Sequence, residues 1–147
     1  NMAKISLSLL FNGNCEEAFN FYKSAFGTEF TFIGRYGDIP PQEGMPAIPE
    51  SEKGKIENIC LPVNEDTFLM GADVTGYMAR KTVFGNNFSI YIEAANKEEA
   101  DRLFAGLSVE GQVMMPMSVA HWGDYFGMFT DKFGVNWLIN CARQHMG

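Results

Sequence analysis

Histidine is scarce: the 147 residues hold two, His121 and His145, the second in the C-terminal run Cys141-Ala142-Arg143-Gln144-His145-Met146-Gly147. Supply therefore excludes a metal centre built mainly from imidazole, but not one built from the plentiful carboxylates. The three cysteines, Cys15, Cys60 and Cys141, are odd in number and far apart. Without a Cys-x-x-Cys pair they exclude a zinc knuckle and a thioredoxin-type redox pair, and they read as unpaired thiols of a reducing, cytoplasmic compartment. No apolar run approaches the roughly 20 residues of a membrane span, and no signal-peptide pattern opens the chain. Asn1, ahead of Met2, reads as a residue left over from expression. Positive charge is also short, 11 Lys and Arg against 18 Asp and Glu for a net −7, which argues against nucleic acid and anionic membranes as partners. A P-loop, a glycine-rich dinucleotide or methyl-donor turn and a Gly-x-Ser-x-Gly elbow are all missing.

Hydrophobic residues, at 46% against 20% charged, suffice for a core and exclude a disordered chain. The clearest helix starts are two copies of one pattern, Asn14-Cys15-Glu16-Glu17-Ala18 and Asn96-Lys97-Glu98-Glu99-Ala100. Each offers an Asn N-cap, a Glu three residues later for a capping box and an acidic first turn for the helix dipole. Apolar residues follow at helical spacing, Ala18, Phe21, Tyr22, Ala25 and Phe26 in one and Ala100, Leu103 and Phe104 in the other, and Gly27 ends the first helix. The offset between the caps is 96 − 14 = 82 residues, which lays Leu7–Asn12 over Ser89–Ala94 as leading strands. Strand-like runs follow each helix: 29–36, 55–63 and 67–72, then 112–119, 125–131 and 135–142. Chance likeness of two caps competes with this reading, but the repeated order of elements favours duplication. The expected fold is α+β, one domain of two tandem βαβββ modules, about 4–74 and 86–143, joined by a connector at 75–85. Four of the six prolines fall within 38–53, an extended loop that reads equally as a lid or as an excursion.

Alternation assigns faces. Phe88, Ile90 and Ile92 share one side with Val135, Trp137, Ile139 and Cys141, an apolar side expected to pack on helices. Ser89, Tyr91 and Glu93 fall on the other with Asn136, Leu138, Asn140 and Ala142. Curved around one another, two such sheets turn this mixed face into the lining of a cleft for a small ligand.

The run Leu10-Phe11-Asn12-Gly13-Asn14-Cys15-Glu16-Glu17-Ala18, with Phe21-Tyr22 and Phe26-Gly27, resembles the opening of PhnB-like proteins. Thr130-Asp131-Lys132-Phe133-Gly134-Val135-Asn136-Trp137-Leu138-Ile139-Asn140 resembles their closing signature. These proteins belong to the vicinal oxygen chelate superfamily, with glyoxalase I, bleomycin-resistance proteins and extradiol dioxygenases. The resemblance spans nearly the whole chain and implies paired βαβββ modules forming a curved mixed sheet around a cleft, and a homodimer. Metal enzymes of the superfamily place His and Glu ligands on the first and last strand of each module. Alignment puts those positions at Leu7, Ser89, Leu138 and about Leu69, and a slip of one residue brings in Ser6, Ser8, Phe88, Ile90, Phe68, Met70, Trp137 and Ile139. None is a strong ligand, so no metal and no cofactor are expected. Some PhnB-like sequences carry a ubiquinone-pathway methyltransferase label, which the missing methyl-donor turn argues against.

Asp73, on the parity of Leu69 near a strand end, reads either as a base at the pocket rim or as a turn-initiating Asp. His121 is the default proton carrier if a proton moves, with Trp122 and Tyr125 as stacking surfaces and Asp124 to orient the imidazole, yet an exposed loop histidine is the better fit. Leu7, Ser89, Tyr91, Leu138 and Asn140 complete the expected lining, while Glu93 also reads as a solvated surface residue. Met114, Met115 and Met117 with Phe126, Met128 and Phe129 suit an adaptable pocket and a soft core alike. The leading expectation is a protein that binds a small, partly apolar molecule in a metal-free cleft. One alternative is a metal-dependent lyase or dioxygenase using displaced ligands Asp73, Glu93 and His121; the other is a non-catalytic dimeric interaction module.

Overall fold

The structure, a computed structural model, describes residues 2–147 apart from the side chain of Tyr77; the reading of Asn1 lies outside the described residues. The chain divides into two compact units, one ending at Val83 and the next beginning at Phe84. The first runs β1 (Leu7–Phe11), α1 (Cys15–Phe26), β2 (Phe32–Arg35), β3 (Ile56–Pro62), β4 (Phe68–Asp73) and a short α2 (Gly76–Lys81). The second runs β5 (Ile90–Ala94), α3 (Lys97–Leu107), β6 (Gln112–Val119), β7 (Tyr125–Thr130) and β8 (Asn136–Cys141). Their mixed sheets have matching orders, β1-β4-β3-β2 and β5-β8-β7-β6, each with its first and last strands parallel and the rest antiparallel. This is an α+β fold in which the order βαβββ occurs twice. The connector holds α2, which the sequence reading did not include.

The two helix starts share a sequence pattern but are capped differently. Asn96 Oδ1 accepts the Glu99 N–H at 2.8 Å, and Glu99 Oε1 accepts the Ala95 N–H at 2.9 Å, a reciprocal arrangement close to the expected capping box. Asn14 makes no side-chain cap. The buried Asp73 does that work from the end of β4: its Oδ1 accepts from Gly13 N–H at 2.9 Å and Cys15 N–H at 3.0 Å, and its Oδ2 from Ile56 N–H at 2.9 Å. One carboxylate thus ties the turn after β1, the start of α1 and the start of β3 to β4. Asp73 is therefore no rim base, a correction with a plain cause: three backbone donors engage it inside the fold. Its charge, after burial itself, also helps push the Cys15 thiol pKa up. Gly27, left-handed at φ 71°, ends α1 as expected, its N–H bonded to Lys23 O at 2.8 Å. Arg35 grips Glu16 through both guanidinium nitrogens, at 2.9 and 2.7 Å, and reaches Gly54 O at 3.0 Å, so the two ends of the proline-rich loop meet the first turn of α1.

Each helix covers one face of its own sheet. In the first unit Leu9 and Phe11 of β1, Ile59 and Leu61 of β3 and Leu69 of β4 are buried with Cys15, Ala18, Phe19 and Tyr22 of α1. Gly71 lies under Phe19, where a Cβ would collide with the Phe19 ring. In the second unit Trp137, Ile139 and Cys141 of β8 and Phe129 of β7 are buried with Ala100, Leu103 and Leu107 of α3, on the faces that alternation assigned. Phe104 meets Phe129 edge-on at 4.9 Å. The buried Asp131 acts locally, within the β7–β8 hairpin: Oδ1 accepts from Phe133 and Val135 N–H, and Oδ2 from the Trp137 indole at 2.9 Å.

The register corrects the repeat. Helix-facing residues on β1 are Leu7, Leu9 and Phe11, paired with Leu69, Gly71 and Asp73; on β5 they are Ile90, Ile92 and Ala94, paired with Trp137, Ile139 and Cys141. Faces match only if Phe11 answers to Ala94, an offset of 94 − 11 = 83, one more than between the caps. The additional residue lies in the turn from β1 into α1, where Gly13 takes a φ of 97°.

Asp73→Ala should lower stability by about 3 kcal/mol, since three backbone donors, two of them buried, lose their acceptor. Asp73→Asn should recover only part of it, because an amide nitrogen would face a backbone N–H. Trp137→Ala should cost about 3–5 kcal/mol. Urea unfolding midpoints check all three, and wild-type stability in any of them contradicts the packing described.

Candidate functional site

The open face of the second sheet, opposite α3, carries Tyr91 and Glu93 from β5, Phe126 and Met128 from β7, and Leu138 and Asn140 from β8. Register brings them together: Tyr91 pairs with Leu138, Glu93 with Asn140, Phe126 with Asn140 and Met128 with Leu138. Asn140, only 3% exposed, is the hub. Its Nδ2 donates to both Glu93 oxygens at 3.2 Å and to Asp124 Oδ2 at 3.1 Å. Glu93 also accepts the Tyr91 hydroxyl at 2.7 Å and the Ala142 N–H at 3.1 Å, and Asp124 accepts the Arg143 N–H at 3.0 Å. Two carboxylates therefore stand at one end of the face, beside an apolar stretch of Phe126, Met128 and Leu138. Trp122, half exposed, meets Phe126 edge-on at 5.3 Å.

The network shifts its own protonation equilibria. The Arg143 N–H, then the Asn140 amide, hold the Asp124 carboxyl below its usual range. Loss of water around the hydroxyl, followed by its bond to Glu93 and the nearby negative charge, pushes the Tyr91 phenol up to about 12. Tyr91 thus stays protonated at every physiological pH.

The structure keeps Ser89, Tyr91, Leu138 and Asn140 on the open side, with Ser89 exposed just ahead of β5. Asn140 reaches the face through the carboxylates it holds. Two expected lining residues fall elsewhere. Leu7 faces α1, because it shares the parity of the buried Leu9 and Phe11. Tyr125 pairs with Cys141 and points to the helix side, where its hydroxyl donates to Asp101 of α3 at 2.6 Å and Lys97 Nζ sits 5.2 Å from the ring centroid. His121 is exposed and edge-on to Trp122 at 5.0 Å, while the Asp124 oxygens bond Asn140 and Arg143 rather than orienting its imidazole. Of the methionine cluster, Met117 contacts the spot beside Gly127 on the helix side, and Met114 and Met115 are exposed. The part of Asp124 was missed in the sequence because the turn that brings it beside Asn140 leaves no periodic signal.

The metal that the resemblance implies can be tested against these faces. With the corrected offset, the open-face positions matching Tyr91 and Leu138 are Ser8 and Met70. Neither pair, a hydroxyl with a thioether in the first unit or a phenol with an aliphatic chain in the second, offers the imidazole, thiolate or carboxylate that a divalent cation needs. Among the described residues no group of three or more His, Cys, Asp and Glu is arranged to hold one. No helix among them is long and apolar enough to cross a membrane.

Because the Asp124 pKa is lowered, its contribution to stability is full above the usual carboxylate range and disappears as pH falls through the folded-state value. Asp124→Asn should therefore lower stability at neutral pH and flatten the acid limb of a stability-against-pH profile, the two proteins converging as pH falls below about 4. The Tyr91 shift has the opposite sense: its contribution is full below about pH 10 and is lost as pH rises through about 12. Tyr91→Phe should remove one late step from the ultraviolet tyrosinate titration. A Tyr91 that ionises with the ordinary tyrosines contradicts the bond to Glu93.

Comparison with known proteins agrees with this architecture. The family model described as 3-demethylubiquinone-9 3-methyltransferase matches residues 3–140. Protein PA1353 from Pseudomonas aeruginosa is 34% identical, with a TM-score of 0.79 over 96% of this chain and 98% of its own. A putative 3-demethylubiquinone-9 3-methyltransferase, PhnB protein, from Bacillus cereus is 29% identical, with a TM-score of 0.72 over 95% of this chain and all of its own (100%). The fosfomycin resistance protein FosX from Mesorhizobium loti, 7% identical, shares the fold at a TM-score of 0.59 over 97% of this chain and 94% of its own. The chain belongs to the family described as 3-demethylubiquinone-9 3-methyltransferase, the PhnB-like proteins.

Proposed function

We propose that the open face of the second unit binds a small, partly apolar molecule whose polar end donates hydrogen bonds. One observation carries this reading: the donors at that end are already engaged within the protein, and acceptors remain. The Tyr91 proton goes to Glu93, the Asn140 amide to Glu93 and Asp124, and the Ala142 and Arg143 N–H groups to the same two carboxylates. The Trp122 side chain also bonds Asp124. The outward lone pairs of Tyr91 Oη and the carboxylates favour an amine or amide over an anion. Phe126, Met128, Leu138 and Trp122 supply apolar contact for the rest of the molecule.

The reading is one of binding and sequestration, with no reaction assigned. Methyl transfer, despite the family description, forms no part of it. The turn from β1 into α1 has Gly13 alone for a glycine, and the Gly13 and Cys15 N–H groups are held by Asp73, which leaves no cradle for a nucleotide-bearing methyl donor. We include a homodimer in the proposal on the strength of the family resemblance, and a reducing cytoplasm on the strength of three free thiols.

Small aromatic amines and aromatic carboxylates of matched size, titrated by NMR, test the proposal. The amines should bind on β5, β7 and β8, and Glu93→Gln should weaken them about tenfold, equivalent to about 1.4 kcal/mol. Equal binding of the carboxylates, or amine binding indifferent to Glu93→Gln, contradicts it. Native mass spectrometry reads a retained organic molecule and the dimer in one spectrum.

A further inference from the structure

Two carboxylates converging from different strands and turns usually do so around a cation. Here Glu93 lies on β5 and Asp124 in the turn before β7, and the atom between them is the Asn140 amide nitrogen. We propose that the Asn140 amide stands where two such carboxylates would otherwise hold a divalent cation, so that this face takes no divalent metal. The proposal stands apart from ligand binding, since neither outcome of the amine titrations bears on it.

Three observations support it. First, the amide end is set by its neighbours: two carboxylates face it, so the –NH2 group and not the carbonyl must point between them. Second, the separations suit hydrogen bonds and not coordination. Nitrogen-to-oxygen distances of 3.1 to 3.2 Å leave the oxygens well outside the roughly 2.0–2.6 Å at which Mg2+ or Ca2+ is held. Third, other bonds hold the carboxylates in that open position: Tyr91 and Ala142 on Glu93, and Arg143 on Asp124. Closing them onto a cation would break several bonds and displace a side chain that is 3% exposed. An organic donor approaching from outside needs no such closure. The alternative with displaced ligands Asp73, Glu93 and His121 also loses one of its members, because Asp73 is engaged by backbone N–H groups in the first unit.

Isothermal titration and electron paramagnetic resonance with Mn2+ alone test the proposal on the full chain. The wild type should show no stoichiometric site. N140D replaces the donor with a third carboxylate and should gain one Mn2+ per chain, at least tenfold tighter than any wild-type binding and with a raised melting temperature in Mn2+. One Mn2+ bound per wild-type chain and lost in E93Q overturns the proposal. So does a folded N140D that binds no more Mn2+ than the wild type. If N140D does not fold, wild type and E93Q decide alone: no site in either supports the proposal, and a site lost in E93Q overturns it.

Discussion

One carboxylate organises the first unit. Asp73 gathers three backbone N–H groups, from the turn after β1, the start of α1 and the start of β3, and does so from the far end of the strand that pairs with β1. A hydrogen bond to a charged acceptor is worth more than a neutral one, and a buried orphan donor is costly, so these bonds act as one unit. That junction lies at the end of the parallel β1–β4 pair, on the side where Phe19 is buried over Gly71. The second unit reaches the same topology with different chemistry. Asn96 and Glu99 cap α3 locally, and Asp131 ties the β7–β8 turn to the Trp137 indole.

With both sheets covered on one side by their own helices, what distinguishes the units is the other side. On the first sheet that face reads Ser8, Leu10, Met70 and Ala72. On the second the matching positions read Tyr91, Glu93, Leu138 and Asn140. The two units share a scaffold, and apart from the Ser8 hydroxyl the polar groups of this face stand in the second unit. The functional reading rests on that asymmetry, because a buried amide between two carboxylates is more than a solvated strand face needs.

The strand order, the helix starts and the faces of β5 and β8 were legible in the sequence, since period-2 and helical patterns are local and repeat. Leu7 was misplaced because the offset of 82 was read from the caps while the strands follow 83, and Asp73 because Leu69, whose parity it shares, was set on the open face although it pairs with Leu7 on the helix side. One additional residue in the turn at Gly13 reverses face parity for the whole of β1. Tyr125 was misplaced because its neighbours His121 and Trp122 lie in a turn, where alternation carries no information about faces.

By itself the sequence determined the repeated βαβββ order, the apolar faces that pack on helices, and the scarcity of imidazole, because composition and periodicity record these directly. Only the tertiary structure decided which carboxylates meet. Glu93, Asp124 and Asn140 are brought together by a parallel pairing and a hairpin turn, and side-chain hydrogen bonds across such distances in the chain leave no trace in local pattern. The same reason applies to Asp73, whose three partners lie 17 to 60 residues away and whose place in the core depends on all of them at once.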